Sequence, residues 1–172
     1  MGMKALDDFR INRQAGFGGH QILEIFPDLK KLSIFSDIFG DRSLVEEVFQ
    51  NTSIRIIRRQ TYMFVDNDDG TINIGIQHLK ASDPEVLYLD IIHELVHVRQ
   101  QREGIDLYDR SKAYVDRETE IEAYEYTIKE ARRIGLSKEE ILDYLSVEWI
   151  TPEEYRRLAG RLGVDFGSNI DP

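Results

Sequence analysis

From Glu85 to Glu103 the chain contains neither glycine nor proline, so this stretch can run as one long helix. Ser82-Asp83-Pro84-Glu85 opens it with a capping side chain, a proline in the first turn and an acid against the helix dipole, and Gly104 is a natural stop. Its middle, with Leu89, Ile91, Ile92, Leu95, Val96 and Val98, is apolar enough to require burial. Into that apolar run are set His93, Glu94 and His97. One helical turn separates the two histidines, which therefore share a face, while Glu94 lies roughly 100° around the axis. Two imidazoles so placed can grip one metal ion, and the glutamate can reach a water at that ion without ligating it. Without a metal they would be polar groups in a core lacking an obvious partner.

A chain of 172 residues suffices for one domain with a real core, with segments 1–53, 54–134 and 135–172 as an N-terminal helical part, a central core and a C-terminal helical extension. With 41% hydrophobic and 31% charged residues the balance is that of a soluble globular protein, and no apolar run reaches the length of a membrane span. The first residues lack the apolar stretch of a signal peptide, so a cytoplasmic location is expected. Zero cysteines exclude disulfides and thiolate ligands, which leaves His, Asp and Glu to hold a metal. A net charge of −10 argues against a partner bound through nucleic-acid phosphates. Nothing in the sequence fixes an oligomeric state.

Residues 4–20 carry little pattern; Gly16-Phe17-Gly18-Gly19 reads as flexible punctuation and His20 as a loop histidine. Apolar clusters from Ile22 to Phe39 predict helix, with Pro27 placed to open one at Asp28, and Asp41 is positioned to cap a helix carrying Leu44, Val45, Val48 and Phe49. Ile54 to Arg59 and Tyr62 to Val65 read as strand, Asp66-Asn67-Asp68-Asp69-Gly70 as a solvated hairpin turn, and Thr71 to Leu79 as the return strand. On that strand Ile72, Ile74, Ile76 and His78 would share the inner face, and Asn73 and Gln77 the other. His78 then reads as a core histidine first and a group near the site second.

Two histidines leave a zinc site one protein ligand short. Six acids compete for that place: Asp106 and Asp109 in the following loop, and Glu118, Glu120, Glu122 and Glu125 on the next helix. Glu120 begins a stripe continued by the small residues Ala123, Thr127 and Ala131, which lets a neighbouring helix approach closely and favours this glutamate. Glu118, Glu122 and Glu125 fall on a stripe that reads as a solvated face, with Glu125 at pairing distance from Lys129.

His93-Glu94-x-x-His97 followed on a second helix by Glu120-x-x-Ala123 resembles the gluzincin class of zinc metallopeptidases. It looks most like the small soluble minigluzincins, with looser similarity to CAAX-prenyl-protease-type membrane peptidases and to ImmA/IrrE-type peptidases. The resemblance covers residues 54–134. It implies an α+β, zincin-like fold in which a small antiparallel or mixed sheet with a rim strand packs on an active-site helix and a glutamate helix, with extra helices at both ends. It further implies one zinc ion per chain held by His93, His97 and Glu120, with Glu94 passing a proton from the attacking water to the leaving amine of a peptide or protein substrate. In that class the strand before the active-site helix binds extended peptide, which here assigns Asn73 and Gln77 to substrate. Membrane relatives commonly follow the alanine with an aspartate that supports a ligating histidine; this chain has Tyr124. The oxyanion-stabilising group would come from Tyr108, Tyr114, Arg117 or His78.

Beyond Gly135, Ser137-Lys138-Glu139-Glu140 and Thr151-Pro152-Glu153-Glu154 each begin a helix with a capping-box pattern. Their acidic surface excludes a DNA-reading pair and predicts packing or docking. One alternative belongs to another class: a zinc-binding regulatory or interaction module without proteolysis. The intact Glu94 and the lack of a fourth protein ligand argue against it.

Overall fold

A computed structural model describes Leu6 and residues 8–164. Four short strands, β1 (Gly18–Gln21), β2 (Ser53–Ile57), β3 (Met63–Val65) and β4 (Ile72–Gly75), form one mixed sheet in the order β1-β2-β4-β3. β2 and β4 are parallel, with Ile54 opposite Ile72 and Ile56 opposite Ile74, and all four isoleucines are buried. β1 and β3 pair antiparallel at the two outer edges. The acidic turn between β3 and β4 is closed by Asp66 N–H donating to the Thr71 carbonyl at 2.8 Å and by Gly70 at φ +72°, a conformation glycine adopts without strain. Together with the eight helices found among the described residues the sheet makes an α+β fold.

Two sequence expectations are corrected in the sheet. Gly18 and Gly19 are not loose punctuation; with His20 they form β1, and the His20 ring bonds the Gly16 carbonyl at 2.8 Å. The strand predicted over Thr71 to Leu79 stops at Gly75, and helix α4 (Ile76–Ala81) follows. Alternation alone could not separate the two, because Ile76 and Leu79 also match helical spacing. Gly75 decides it: a Cβ there would lie 2.1 Å from the Thr61 carbonyl oxygen, so the crossing of the 59–62 segment requires glycine and ends the strand. Since β4 is paired on both sides, the sheet's open rim beside the long helix is β3.

The N-terminal apolar clusters fold as α1 (Ile22–Ile25), a 3-10 turn (Leu29–Lys31) and α2 (Ile34–Phe39), rather than as a helix opening at Asp28. The reason is the Asp28 carboxylate. Instead of capping, it accepts bonds from Arg10 N, Nε and Nη2 at 2.9, 2.9 and 3.0 Å and pairs with Lys31 at 2.6 Å. Those bonds, Arg10 first, hold its carboxyl well below the usual carboxylate range. A depressed carboxyl pKa contributes stability above the unfolded value near 3.8, and that contribution fades as pH falls below it. Acid titration of thermal unfolding should therefore show a weaker loss of Tm below pH 3.8 in Asp28→Asn than in the wild type, on a Tm already lowered at neutral pH. As predicted, Asp41 caps α3 (Arg42–Asn51), accepting from Ser43 N–H at 2.7 Å.

The long helix α5 (Pro84–Arg102) packs against α6 (Glu118–Arg133) along the small stripe Ala123, Thr127 and Ala131, all three fully buried. Where the stripe ends, buried Glu130 accepts a short bond from the Tyr88 hydroxyl and pairs with Arg133. Both predicted capping boxes are present, opening α7 (Lys138–Leu145) and α8 (Pro152–Arg161). α8 holds the 3-10 turn Tyr114–Asp116, with Arg157 gripping Asp116 at 3.0 and 2.7 Å. One apolar core runs from Leu6 and the N-terminal helices to Leu158 and Val164.

Candidate metal centre

α5 presents His93 and His97 on one face, and the close approach of α6 brings Glu120 up to them. His93 Nε2 and His97 Nε2 are 3.0 Å apart, and Glu120 Oε2 is 3.2 Å from the first and 3.4 Å from the second. All three side chains are buried, and together they form a group that can hold a metal ion. Two facing ring nitrogens at 3.0 Å accommodate one proton between them, so at least one lone pair points into the group. The donor set of two imidazoles and one carboxylate, without thiolate, is that of open three-ligand zinc sites.

The electrostatics follow from burial and mutual charge. Burial opposes ionisation of Glu120, but His97 and His93 outweigh it and hold the carboxyl well below the usual carboxylate range. Burial likewise lowers the His97 imidazole, and the Glu120 and Glu94 carboxylates more than offset it, raising the ring to about 9. Glu94 goes the other way: burial pushes its carboxyl up, and its Oε2 has no hydrogen-bond partner among the described residues. A buried carboxyl with a raised pKa and a free oxygen is suited to exchanging protons.

Sequence reasoning missed Gln100. Its Nε2 donates to the Thr119 carbonyl at 3.0 Å and to Glu122 at 2.8 Å, so its Oε1 faces His97 Nδ1 at 2.7 Å. That orientation makes Nδ1 the donor and directs the Nε2 lone pair of a neutral His97 toward the metal group. The signal was its place three residues after His97, on the same helix side. Gln100→Leu should weaken metal affinity by about 10–100-fold, the usual cost of losing such an outer partner. Competition titration with a chromogenic chelator measures it.

Tyr124 does not take over the role of the missing aspartate. Its ring packs on His93 with centroids 4.6 Å apart, but its hydroxyl bonds the Tyr114 hydroxyl at 3.0 Å, and His93 Nδ1 is left without a partner among the described residues. Asp90, on the same helix, serves His78 instead. Its Oδ2 is 2.7 Å from His78 Nε2, its Oδ1 accepts from Tyr144 at 2.9 Å, and His78 Nδ1 meets Ser82 Oγ at 2.7 Å. His78 is thus a buried, hydrogen-bonded histidine on α4 and does not line the cleft beside the metal group.

The metal group opens onto a cleft of about 580 Å³. β3 from Met63 to Val65 lines it, together with Tyr108, Tyr114 and Arg117. Tyr108 donates to the Val65 carbonyl at 2.6 Å, and Arg117 Nε to the Asp109 carbonyl at 3.1 Å. The two residues assigned to substrate are not on these walls. Asn73 is buried in β4 with its amide on the Thr71 carbonyl, and Gln77 is exposed on α4, because the strand that carried the assignment is interior and ends before Gln77. Among the described residues no helix is long and apolar enough to cross a membrane. Comparison with protein-family models, with curated proteins and with solved structures found no match.

Proposed function

We propose that the chain is a zinc-dependent metallopeptidase that hydrolyses peptide bonds with Glu94 as proton carrier. The observation that supports this most directly is the Oε2 of buried Glu94, without a hydrogen-bond partner among the described residues, beside the His93, His97 and Glu120 group and on the wall of the cleft. A metal serving only to brace the fold needs neither a proton carrier nor an open approach, and usually has four protein ligands.

Zinc held by His93, His97 and Glu120 would supply Lewis acidity, polarising a carbonyl and acidifying water. Glu94 accepts the proton of the attacking water and returns it to the leaving amine. The raised carboxyl pKa makes that return easier at neutral pH. β3, whose outer edge has no strand partner among the described residues and whose Val65 carbonyl is taken by Tyr108, offers its remaining backbone groups to an extended peptide laid beside it as a further strand. Arg117 also lines the cleft and brings positive charge to it, which would offset the negative charge that develops on the carbonyl oxygen.

Elemental analysis and peptide cleavage on one preparation test the reading. The purified protein should carry about one zinc per chain, lose zinc and cleavage together on chelation, and recover both when zinc is restored. Cleavage that survives complete metal removal overturns it.

A further inference from the structure

A second cavity, of about 220 Å³, adjoins the cleft and shares His93, Glu94, Tyr62, Tyr114 and Trp149 with it. It is smaller than the roughly 300–1,000 Å³ of pockets that take a whole small ligand. Its size therefore suits one side chain of something bound across the metal group.

Its walls are largely aromatic, with Met63, Val86 and Val147 also in the lining. Tyr62 meets Trp149 with centroids 5.3 Å apart, Trp149 meets Tyr114 at 5.8 Å, and Tyr114, Tyr124 and Tyr144 follow at 6.4 Å steps. Carboxylates punctuate the lining: Asp90 inside, held by Tyr144 and His78, Glu94 toward the metal group, and Asp143 at the exposed end. No lysine or arginine lines the cavity among the described residues. The Tyr62 side carries more negative charge still, since Glu148 interacts with that hydroxyl. Ring faces attract cations through their quadrupoles, and the Glu94 and Asp143 carboxylates, which no lysine or arginine of the lining offsets, add to the same field. An acidic side chain is repelled here, and a purely aliphatic one gains nothing from the acids.

We propose that this cavity is a specificity pocket for a basic side chain, lysine or arginine, of the bound peptide. The proposal rests on the peptidase reading, but the pocket can be tested apart from it. Trp149 is the chain's single tryptophan and stands in the wall shared by cavity and cleft, so its fluorescence reports binding in either, and Asp143, which lines the cavity and not the cleft, assigns the signal. The zinc-loaded protein is titrated with N-acetyl-lysine methylamide and its arginine, norleucine, phenylalanine and glutamate counterparts. In parallel, kcat/KM is measured on peptide libraries varied one position at a time. The expected result is saturable binding of the lysine and arginine probes at least about tenfold tighter than norleucine, with one library position preferring the same two residues. Asp143→Asn, which alters an exposed carboxylate, should weaken the basic probes several-fold and leave norleucine unchanged.

Basic-probe selectivity without any cleavage would sustain the pocket while removing the peptidase reading. Cleavage with norleucine or phenylalanine bound as tightly as lysine would overturn the pocket and leave the peptidase reading intact. Preference for the glutamate probe overturns the pocket as well.

Discussion

Glu94→Gln should retain about one zinc per chain and lose peptide cleavage by about 10²–10⁴-fold, the range that positioned acid-base groups contribute. The substitution keeps the shape of the side chain and its place on α5 but removes the ability to accept a proton. The ligands are untouched, because His93, His97 and Glu120 meet one another without help from Glu94. Folding should not suffer either. Burial disfavours the Glu94 carboxylate, and Oε2 has no hydrogen bond to lose among the described residues, so a neutral amide removes an unfavourable charge from the interior. Its Tm should match or exceed that of the wild type. Turnover at the wild-type rate by a zinc-loaded Glu94→Gln protein would show that another group moves the proton, and the mechanism would fail at its central residue.

How much of this could be read from the sequence divides by the range of the interactions involved. The α5 helix and its His93 and His97 were legible because caps, apolar spacing and a one-turn repeat are local. Glu120 was legible for a related reason: Ala123, Thr127 and Ala131 announce a close helix contact, and the close α5–α6 packing follows. The failures lie where a distant group decides. The end of β4 is set by the Thr61 carbonyl above Gly75, and the short turn after Pro27 by an Arg10 side chain eighteen positions away from Asp28. The pairing expected between Glu125 and Lys129 gives way to Lys129 and Asp37, 2.6 Å apart across the α2–α6 contact. Trp149 reaches the cleft only because the α7–α8 pair docks beside the Tyr114 turn, which no local pattern announced.

The choice of Glu120 as third ligand leads to the other large expected effect. Glu120→Ala should lose zinc, with an affinity drop exceeding the about 10–100-fold assigned to an outer partner such as Gln100. The competing acids are engaged elsewhere or face solvent. Glu122 binds Arg99 and Gln100, Glu118 binds Lys112, and Asp109 accepts from Ser111. Asp106 accepts from Tyr108 N–H, and Glu125 is exposed on the far side of α6 from the stripe. None can replace a buried oxygen 3.2 Å from His93 without moving backbone. The truncation also removes the carboxylate that raises the His97 imidazole, so the ring's pKa should fall from about 9, which NMR titration of the imidazole reads without any metal. Helix packing should survive, since Ala123, Thr127 and Ala131 still seat α6 on α5. Glu120→Gln separates charge from shape: zinc should be weakened there too, because the amide oxygen is a neutral and poorer ligand. A Glu120→Ala protein that folds, shows the His97 shift and still carries one zinc would place the third ligand on another residue and require a rearranged α6.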